Sequence, residues 1–292
     1  MKKTVIGYIY SGQNLSSEET IALELIKKKN IELIMFNISK SLDIKKIKEE
    51  INKCDLFYNS TGEDSAIKFV KTIEEIGKKV IDSSNCYYDS EDKWQFFLKC
   101  RENKIPSPET ILLSENTETL KKELKEFNHW PVIIKRVIGT MGEYVEKADN
   151  IWQVEQIIKK FREQKAKDGK KYTNYMSNTP IIAQEFIKSH SYRVTVIDNK
   201  ILQTAIKKSK GWKSTGVYGK KFEKFQVDDE LKELVDKIIN FTKINICGLD
   251  FLKKDNKWIA LEVNTAPAFD FFKDEEEKLV EAALDCVAAQ IK

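Results

Sequence analysis

The first ninety residues alternate short apolar runs with segments of helical period, and this alternation restricts the fold more than any other feature of the chain. Residues 4–10 read as an apolar strand, residues 18–29 as a helix with Ile21, Ala22, Leu25 and Ile26 on one face, and residues 31–38 as the next strand. Ile44, Ile47 and Ile51 mark a second helix, residues 55–60 a third strand, residues 66–76 a third helix and residues 79–81 a fourth strand. Strands separated by helices favour parallel pairing, so this part is predicted to be a small, doubly wound α/β unit. No GxGxxG follows the first strand, where Ser11 and Gly12 offer only a short polar turn. A dinucleotide-binding role is therefore not expected, and the unit reads as a scaffold.

The pattern changes at residue 90. Ser90 reads as the N-cap of a helix with Glu91, Asp92 and Lys93 in its first turn, and Pro106 and Pro108 end that helix in an extended connection. After a helix at residues 118–127, the run WPVIIKRV at residues 130–137 is a strongly apolar strand that carries Lys135. A lysine there is desolvated unless an anion or an acid receives it, so Lys135 is a stronger functional candidate than Lys93, which by itself reads as a surface lysine. Gly139, Thr140 and Gly142 follow, a turn whose N–H groups suit phosphate and which equally suits a plain hairpin. A charged helix and loop occupy residues 151–175. The strand PIIAQEFI at residues 180–187 is interrupted by Gln184 and Glu185, which either meet an adenine edge with the neighbouring main chain or hydrogen-bond internally. Residues 192–197 and 201–207 form a hairpin about Asp198 and Asn199, and a basic loop with five lysines spans residues 208–221. Arg193, Lys207 and Lys213 together would attract phosphate or carboxylate, although a solvated loop is the simpler account. Helices are expected at residues 229–242 and 275–291.

Between those last helices lies GLDFLKKDNKWIALEVN, residues 248–264, a hairpin that carries Asp250, Glu262 and Asn264. Alternation puts Glu262 and Asn264 on one face and Ile259, Leu261 and Val263 on the other, with Asp250 facing the pair from the adjacent strand. Two carboxylates and an amide oxygen suit Mg²⁺, which leaves its remaining positions to water and nucleotide phosphates; a hairpin with solvated acids is the competing account.

Composition excludes several classes. The 292 residues carry 50 Lys+Arg against 46 Asp+Glu, a net charge of +4 with the signs interspersed, so no basic block argues for nucleic acid. Hydrophobic residues at 41% permit a sizeable core, and the length fits two or three packed units. Cys54, Cys86, Cys100, Cys247 and Cys286 include no CxxC pair, which suits a reduced, cytoplasmic protein. The apolar start ends too early for a signal peptide and no run approaches a membrane span, so a soluble protein is expected.

Taken in order, DKW, VIIKRVIGTMG, QEFI, YRV, GLDFL and LEVNTAP resemble the ATP-grasp superfamily. Within it the chain is similar to the ribosomal-protein glutamate ligases and to ligases that extend carrier-protein or peptide termini. The likeness covers about residues 90–290 and, less firmly, the N-terminal part. It implies an α/β (α+β) ATP-grasp fold in three parts: an N-terminal parallel-sheet domain over residues 1–89, a central lid domain over 90–188 and a C-terminal metal-binding domain over 189–292. It further implies that Lys93 and Lys135 contact the phosphates under a lid formed by Gly139, Thr140 and Gly142. Gln184, Glu185, Phe186 and Ile187 would hold adenine, with Ser191 at the ribose position. Asp250, Glu262 and Asn264 would hold Mg²⁺, two ions, with Mn²⁺ as a substitute, while Arg193, Lys207 and Lys213 would face the γ-phosphate and the substrate carboxylate. The implied reaction is ATP-dependent amide formation through an acylphosphate, on an amino acid, peptide or carrier-protein terminus. Relatives are often dimers or tetramers, so a homo-oligomer is a further expectation.

The chain departs from that family in three places. Ser191, beside His190, stands where relatives carry an acid for ribose. The basic loop reads GWKSTGVYGKK, with Lys213 and Thr215 nearest to the usual arginine and asparagine and no Arg-Gly-Gly. Ala266, Pro267 and Ala268 replace Ser-Pro-Gly after the metal asparagine. These changes leave nucleotide and metal binding intact and the substrate open. They also motivate a second reading, an ATP-binding sensor or partner protein of the same fold without ligase activity.

Overall fold

The computed structural model describes residues 3–40, 44–139, 142–163, 179–208, 211–213 and 221–291. Strands β1 (Thr4–Tyr10), β2 (Ile31–Asn37), β3 (Leu56–Asn59) and β4 (Val80–Ile81) form a parallel sheet in the order β2-β1-β3-β4, as the alternation predicts. Helices α1 (Ser17–Leu25), α2 (Ile44–Lys53) and α3 (Asp64–Glu75) make the crossovers, and a short 3₁₀ turn, Ile26–Lys28, finishes the segment expected to be all α1. Ser16 and Glu19 close a capping box on α1, which satisfies the first N–H groups of the helix. Helix α4 (Ser84–Ser90) was not expected, because SNCYYDS has no helical apolar period; it is held by Ser83, whose hydroxyl accepts from the Cys86 N–H. Helix α5 (Lys93–Glu102) is capped by Asp92, which accepts from the N–H groups of Trp94 and Gln95, and not by Ser90, which is the last residue of α4.

A second, antiparallel sheet joins β5 (Thr110–Leu112), β6 (Val132–Arg136), β7 (Val145–Ala148) and β8 (Ile181–Glu185) in the order β5-β8-β6-β7. Helices α6 (Thr117–Phe127) and α7 (Ile151–Glu163) cover one face, where Leu120, Leu124, Val154, Ile158 and Phe161 pack on Val132, Ile134 and Ala183. Alternation along β6 sends Ile133 and Lys135 to the opposite face. The glycine turn belongs to the β6–β7 connection, and Gly142 sits at φ 72°, a conformation that only glycine adopts freely.

The third sheet is also antiparallel and runs β11 (Lys221–Glu223), β10 (Lys200–Lys208), β9 (Ser191–Ile197), β12 (Ile246–Lys254) and β13 (Lys257–Asn264). Helices α8 (Asp229–Thr242) and α5 bury one face through Phe96, Cys100, Leu231, Val235 and Ile238 against Val194, Leu249, Phe251, Trp258 and Ala260. Both hairpin turns are two residues with positive φ, Asp198 and Asn199 at 52° and 58°, and Asp255 and Asn256 at 50° and 63°, the conformation that suits the twist of paired strands. Helix α9 (Lys273–Ala288) packs Leu279, Val280, Ala283 and Leu284 into the core shared with Ile6, Tyr8, Ala22 and Leu25. The parallel sheet is also tied to the third sheet by Asp82, whose carboxylate accepts from the N–H groups of Asn245 and Ile246 and from the Asn245 side chain. Among the described residues, no helix is long and apolar enough to cross a membrane.

Candidate active site

The face of the second sheet away from α6 and α7 and the face of the third sheet away from α8 meet across a cleft of about 940 Å³, counting its part open to solvent. Lys93, Lys135, Gly139, Gly142, Gln184, Glu185, Phe186, Ile187, Ser191, Lys213, Glu262 and Asn264 all line it. Thr140, placed in the lid by sequence, lies outside the described residues.

The cations come from three places: the start of α5, strand β6 and the loop after β10. Lys93 opens α5 with its N–H bonded to Val137 O (2.9 Å) and its Nζ donating to Gly139 O (3.0 Å), so it holds the glycine turn to the helix. Lys135 is 4% exposed with no ion pair among the described residues. Burial pushes its ammonium down to about 8 against an ordinary 10.5; the Glu262 charge opposes the shift and the Lys93 charge adds to it. A buried amine in this state favours an arriving anion. Lys213 reaches the turn from the other side, with Nζ 3.4 Å from Gly142 O.

The far end of the cleft is apolar and aromatic. The Phe186 and Trp212 rings meet edge to face at 6.3 Å between centroids, and Lys147 Nζ lies 5.1 Å from the Phe186 ring. Gln184, 4% exposed, satisfies itself internally by donating to Thr110 Oγ1 (2.9 Å). Glu185 accepts from Lys254. The Phe186 N–H donates to Pro131 O (3.3 Å), so that group is already committed.

On β13 the phase of the strand is decisive. Asp250 faces Glu262 and Gly248 faces Asn264, but Phe251 faces Ala260, so Leu261 is an extra residue in a bulge. Leu261 consequently turns into the cleft beside Glu262 and Asn264, contrary to the strict alternation expected from sequence. The Asn264 Nδ2 donates to Gly248 O (3.2 Å), which leaves its Oδ1 as the acceptor end. A hard cation fits this donor set only in company: Glu262 and Asn264 offer oxygens, and among the described residues no three His, Cys, Asp or Glu side chains form a cage. Phosphate oxygens and water would complete the shell, the arrangement Mg²⁺ commonly adopts with nucleotides.

Asp250, Arg193 and Lys207 form a buried ion cluster outside the cleft lining. Arg193 Nε and Nη2 reach the two Asp250 oxygens at 2.6 and 2.9 Å, and Lys207 Nζ reaches them at 3.0 and 2.9 Å. Burial alone would raise the Asp250 carboxyl, but the two cations overcome it and hold the group well below the usual carboxylate range. Lys207 is pushed down by burial and by the Arg193 charge, so it is the more weakly held cation. Sequence reading placed these three on the ligand itself; in this structure Asp250 engages both cations.

Sequence reasoning passed over three polar or aromatic residues of the wall, Glu91, Ser189 and Trp212. Trp212 sits in the basic loop, where its ring was the available signal. Glu91, next but one to Lys93, lines the cleft and accepts from both the N–H and the hydroxyl of Thr265.

The comparison that decides the family is a match of the model for the RimK-like ATP-grasp domain to residues 90–287. The chain belongs to the RimK-like ATP-grasp family. It is an ATP-dependent carbon–nitrogen ligase, and ATP with Mg²⁺ is the general requirement of such enzymes. Among curated relatives, the coenzyme gamma-F420-2:alpha-L-glutamate ligase of Methanocaldococcus jannaschii is 25% identical over 74% of this chain and 73% of its own. The alpha-aminoadipate–LysW ligase LysX of Saccharolobus solfataricus is 26% identical over 75% of this chain and 77% of its own. The D-alanine–D-alanine ligase of Bacillus anthracis, solved with ATP, matches the fold with a TM-score of 0.72 at 17% identity, covering 99% of this chain and 100% of that one.

Proposed function

We propose that this ATP-grasp ligase activates the carboxylate of an amino acid, a peptide or a carrier-protein terminus and joins it to an amine. The observation that carries the reading is the convergence of Lys93, Lys135, Glu262 and Asn264 on one cleft whose other end is walled by Phe186, Ile187 and Trp212. The relatives named for ligation of glutamate or of aminoadipate to LysW support an acidic amino acid as one partner.

Each residue has a part in this scheme. Lys93 and Lys135 hold the phosphates, and the glycine turn covers them with Lys213 at its side. Adenine lies against the aromatic wall formed by Phe186 and Trp212 and the main chain at Ile187, and Ser191 stands by the ribose. Asp250, Glu262 and Asn264 would hold Mg²⁺, as two ions, with Mn²⁺ as a substitute, and the ions would neutralise the phosphate charge. Arg193 and Lys207 stand behind the acids and exchange a bond to Asp250 for one to the transferring phosphate or the substrate carboxylate. The substrate carboxylate attacks the γ-phosphate, ADP leaves, and the amine displaces phosphate from the acylphosphate. Charge neutralisation and positioning supply most of the acceleration. The same reading divides the chain at residues 89 and 188 and places the enzyme in the cytoplasm, with a homo-oligomer as its assembly.

ADP release and product mass, measured over a panel of amino acids, peptides and carrier termini, test the assignment. The expected result is an amide product whose formation is abolished by Glu262→Gln. ADP release with no amide product from any pair would overturn it.

A further inference from the structure

The linker between α4 and α5, with the first residue of α5, reaches two walls of the cleft. Glu91 closes α4 by donating its N–H to Tyr87 O (2.9 Å), and one carboxylate oxygen of the same residue receives the Thr265 N–H (2.7 Å) and the Thr265 hydroxyl (2.9 Å). Thr265 is the residue directly after Asn264, at the point where β13 ends. Two residues beyond Glu91, Lys93 binds Val137 O through its N–H and Gly139 O through Nζ. The three residues Glu91 to Lys93 thereby fix the end of the metal-binding strand and the base of the glycine lid together. Without it, β13 runs into 265–272, a segment with no regular structure, and among the described residues the Asn264 side chain keeps one hydrogen bond, to Gly248 O.

We propose that Glu91 is a positioning residue: by clamping Thr265 it sets the Asn264 oxygen and couples the metal-binding strand to the lid. The inference rests on the reading of Glu262 and Asn264 as ion ligands. Glu91 does not need to touch the ion or the phosphates to act, because groups that orient ligands commonly change ion affinity by 10–100-fold when removed. Its essential chemistry is acceptance of two hydrogen bonds, which a glutamine oxygen also provides and an alanine does not.

The test is calorimetric titration of a non-hydrolysable ATP analogue into the full chain, with and without Mg²⁺, for wild type, Glu91→Ala, Glu91→Gln and Thr265→Val. Glu91→Ala is expected to lose about tenfold in the Mg²⁺-dependent part of the affinity while its Mg²⁺-free affinity stays at the wild-type level. Glu91→Gln is expected to stay within about threefold of wild type. Thr265→Val cuts one of the two bonds and leaves the linker intact, so it reports even where Glu91→Ala fails to fold; a loss of roughly threefold is expected, the equivalent of one ordinary hydrogen bond. An unchanged Mg²⁺-dependent affinity in Glu91→Ala and Thr265→Val overturns the proposal. Equal losses in Glu91→Ala and Glu91→Gln overturn it as well, because the charge and not the clamp is then what matters. Wild-type affinity that ignores Mg²⁺ would instead remove the ion-ligand reading on which the inference stands.

Discussion

Replacing Asp250 by Asn separates a stabilising ion cluster from a solvated one. The side chain keeps its size but loses its charge, and only Oδ1 still accepts, while Nδ2 is turned toward a cation. Arg193 and Lys207, 6% and 3% exposed, would then sit side by side in the sheet as uncompensated charges. Breaking a buried ion pair from one side costs about 3–5 kcal/mol. A chain of this length loses about 2 °C of melting temperature per kcal/mol, so a fall of roughly 6–10 °C is expected. Lys207→Met makes a sharp contrast, because it removes the more weakly held cation and leaves the two-pronged Arg193–Asp250 pair; a change under about 1.5 kcal/mol is expected. Urea denaturation and scanning calorimetry of the ligand-free protein at pH 7 give both numbers. The sign with pH is fixed by the depressed carboxyl: its contribution is present above the ordinary value of 3.8 and is lost as pH falls through the lower folded value. The gap between wild type and Asp250→Asn is therefore flat from neutral pH down to about 5 and closes only in strong acid. A cost below about 1 kcal/mol for Asp250→Asn, or equal costs for both variants, would refute the reasoning.

Other expectations follow from groups around the cleft. Lys135→Met removes a buried amine whose folded value is about 8, so it should weaken ATP binding by roughly 10–100-fold, the loss of a charge-assisted bond, as read by calorimetry. Because a lowered lysine value penalises folding at low pH, wild type should gain stability between about pH 8 and 10.5, and Lys135→Met should not. Glu18 is raised to about 7 against an ordinary 4.5 by burial, with Glu19, Asp270 and Glu276 adding and the Phe269 N–H opposing. Its stabilising contribution is complete below 4.5 and is lost as pH rises through 7, at most about 1.4 kcal/mol per pH unit, so Glu18→Gln should flatten that slope in chemical denaturation series and exceed wild type at pH 8. Gly248→Ala puts a methyl group against Nη1, Cδ and Cζ of Arg193, which Asp250 holds in place; a cost of about 1–3 kcal/mol in urea midpoints is expected, and a neutral result would mean that Arg193 moves freely.

Much of the architecture was legible because it follows from periodicity. The βα alternation of the first ninety residues gave a parallel sheet, and the amphipathic run at 229–242 became α8 with those limits. Both hairpin turns could be read from Asp198-Asn199 and from the Asp255-Asn256 pair within the polar segment 253–257, since these residues tolerate positive φ. Illegible parts lack such a signal. Helix α4 has no apolar stripe, and β5 and β7 are three and four residues long, too short for a period to register. Glu91 was read as a charge in a helical first turn, yet its partner is Thr265, 174 residues away, a contact that local sequence does not encode.

The site itself turns on two irregularities that composition does not announce. Counting back from the Asp255-Asn256 turn, a regular β13 puts Glu262 and Asn264 on the side of Trp258 and Ala260, in the core between the sheet and α8. The extra residue at Leu261 reverses the phase, so Val263 joins the core and the two oxygen ligands enter the cleft. Strand β10 repeats the device. Regular pairing from the Asp198-Asn199 turn would set Arg193 opposite Thr204 and send Lys207 to the other face, but the register skips between Ile201 and Gln203, so Arg193 faces Ala205 and Lys207 shares its side. One bulge exposes Glu262 and the other assembles the cations that hold Asp250. Because a bulge costs little and leaves the apolar residues of each strand buried, a sequence reader sees no conflict that would reveal it. The correct ligands can thus be named from an alternating pattern whose phase is wrong, and only the register shows how they reach one place.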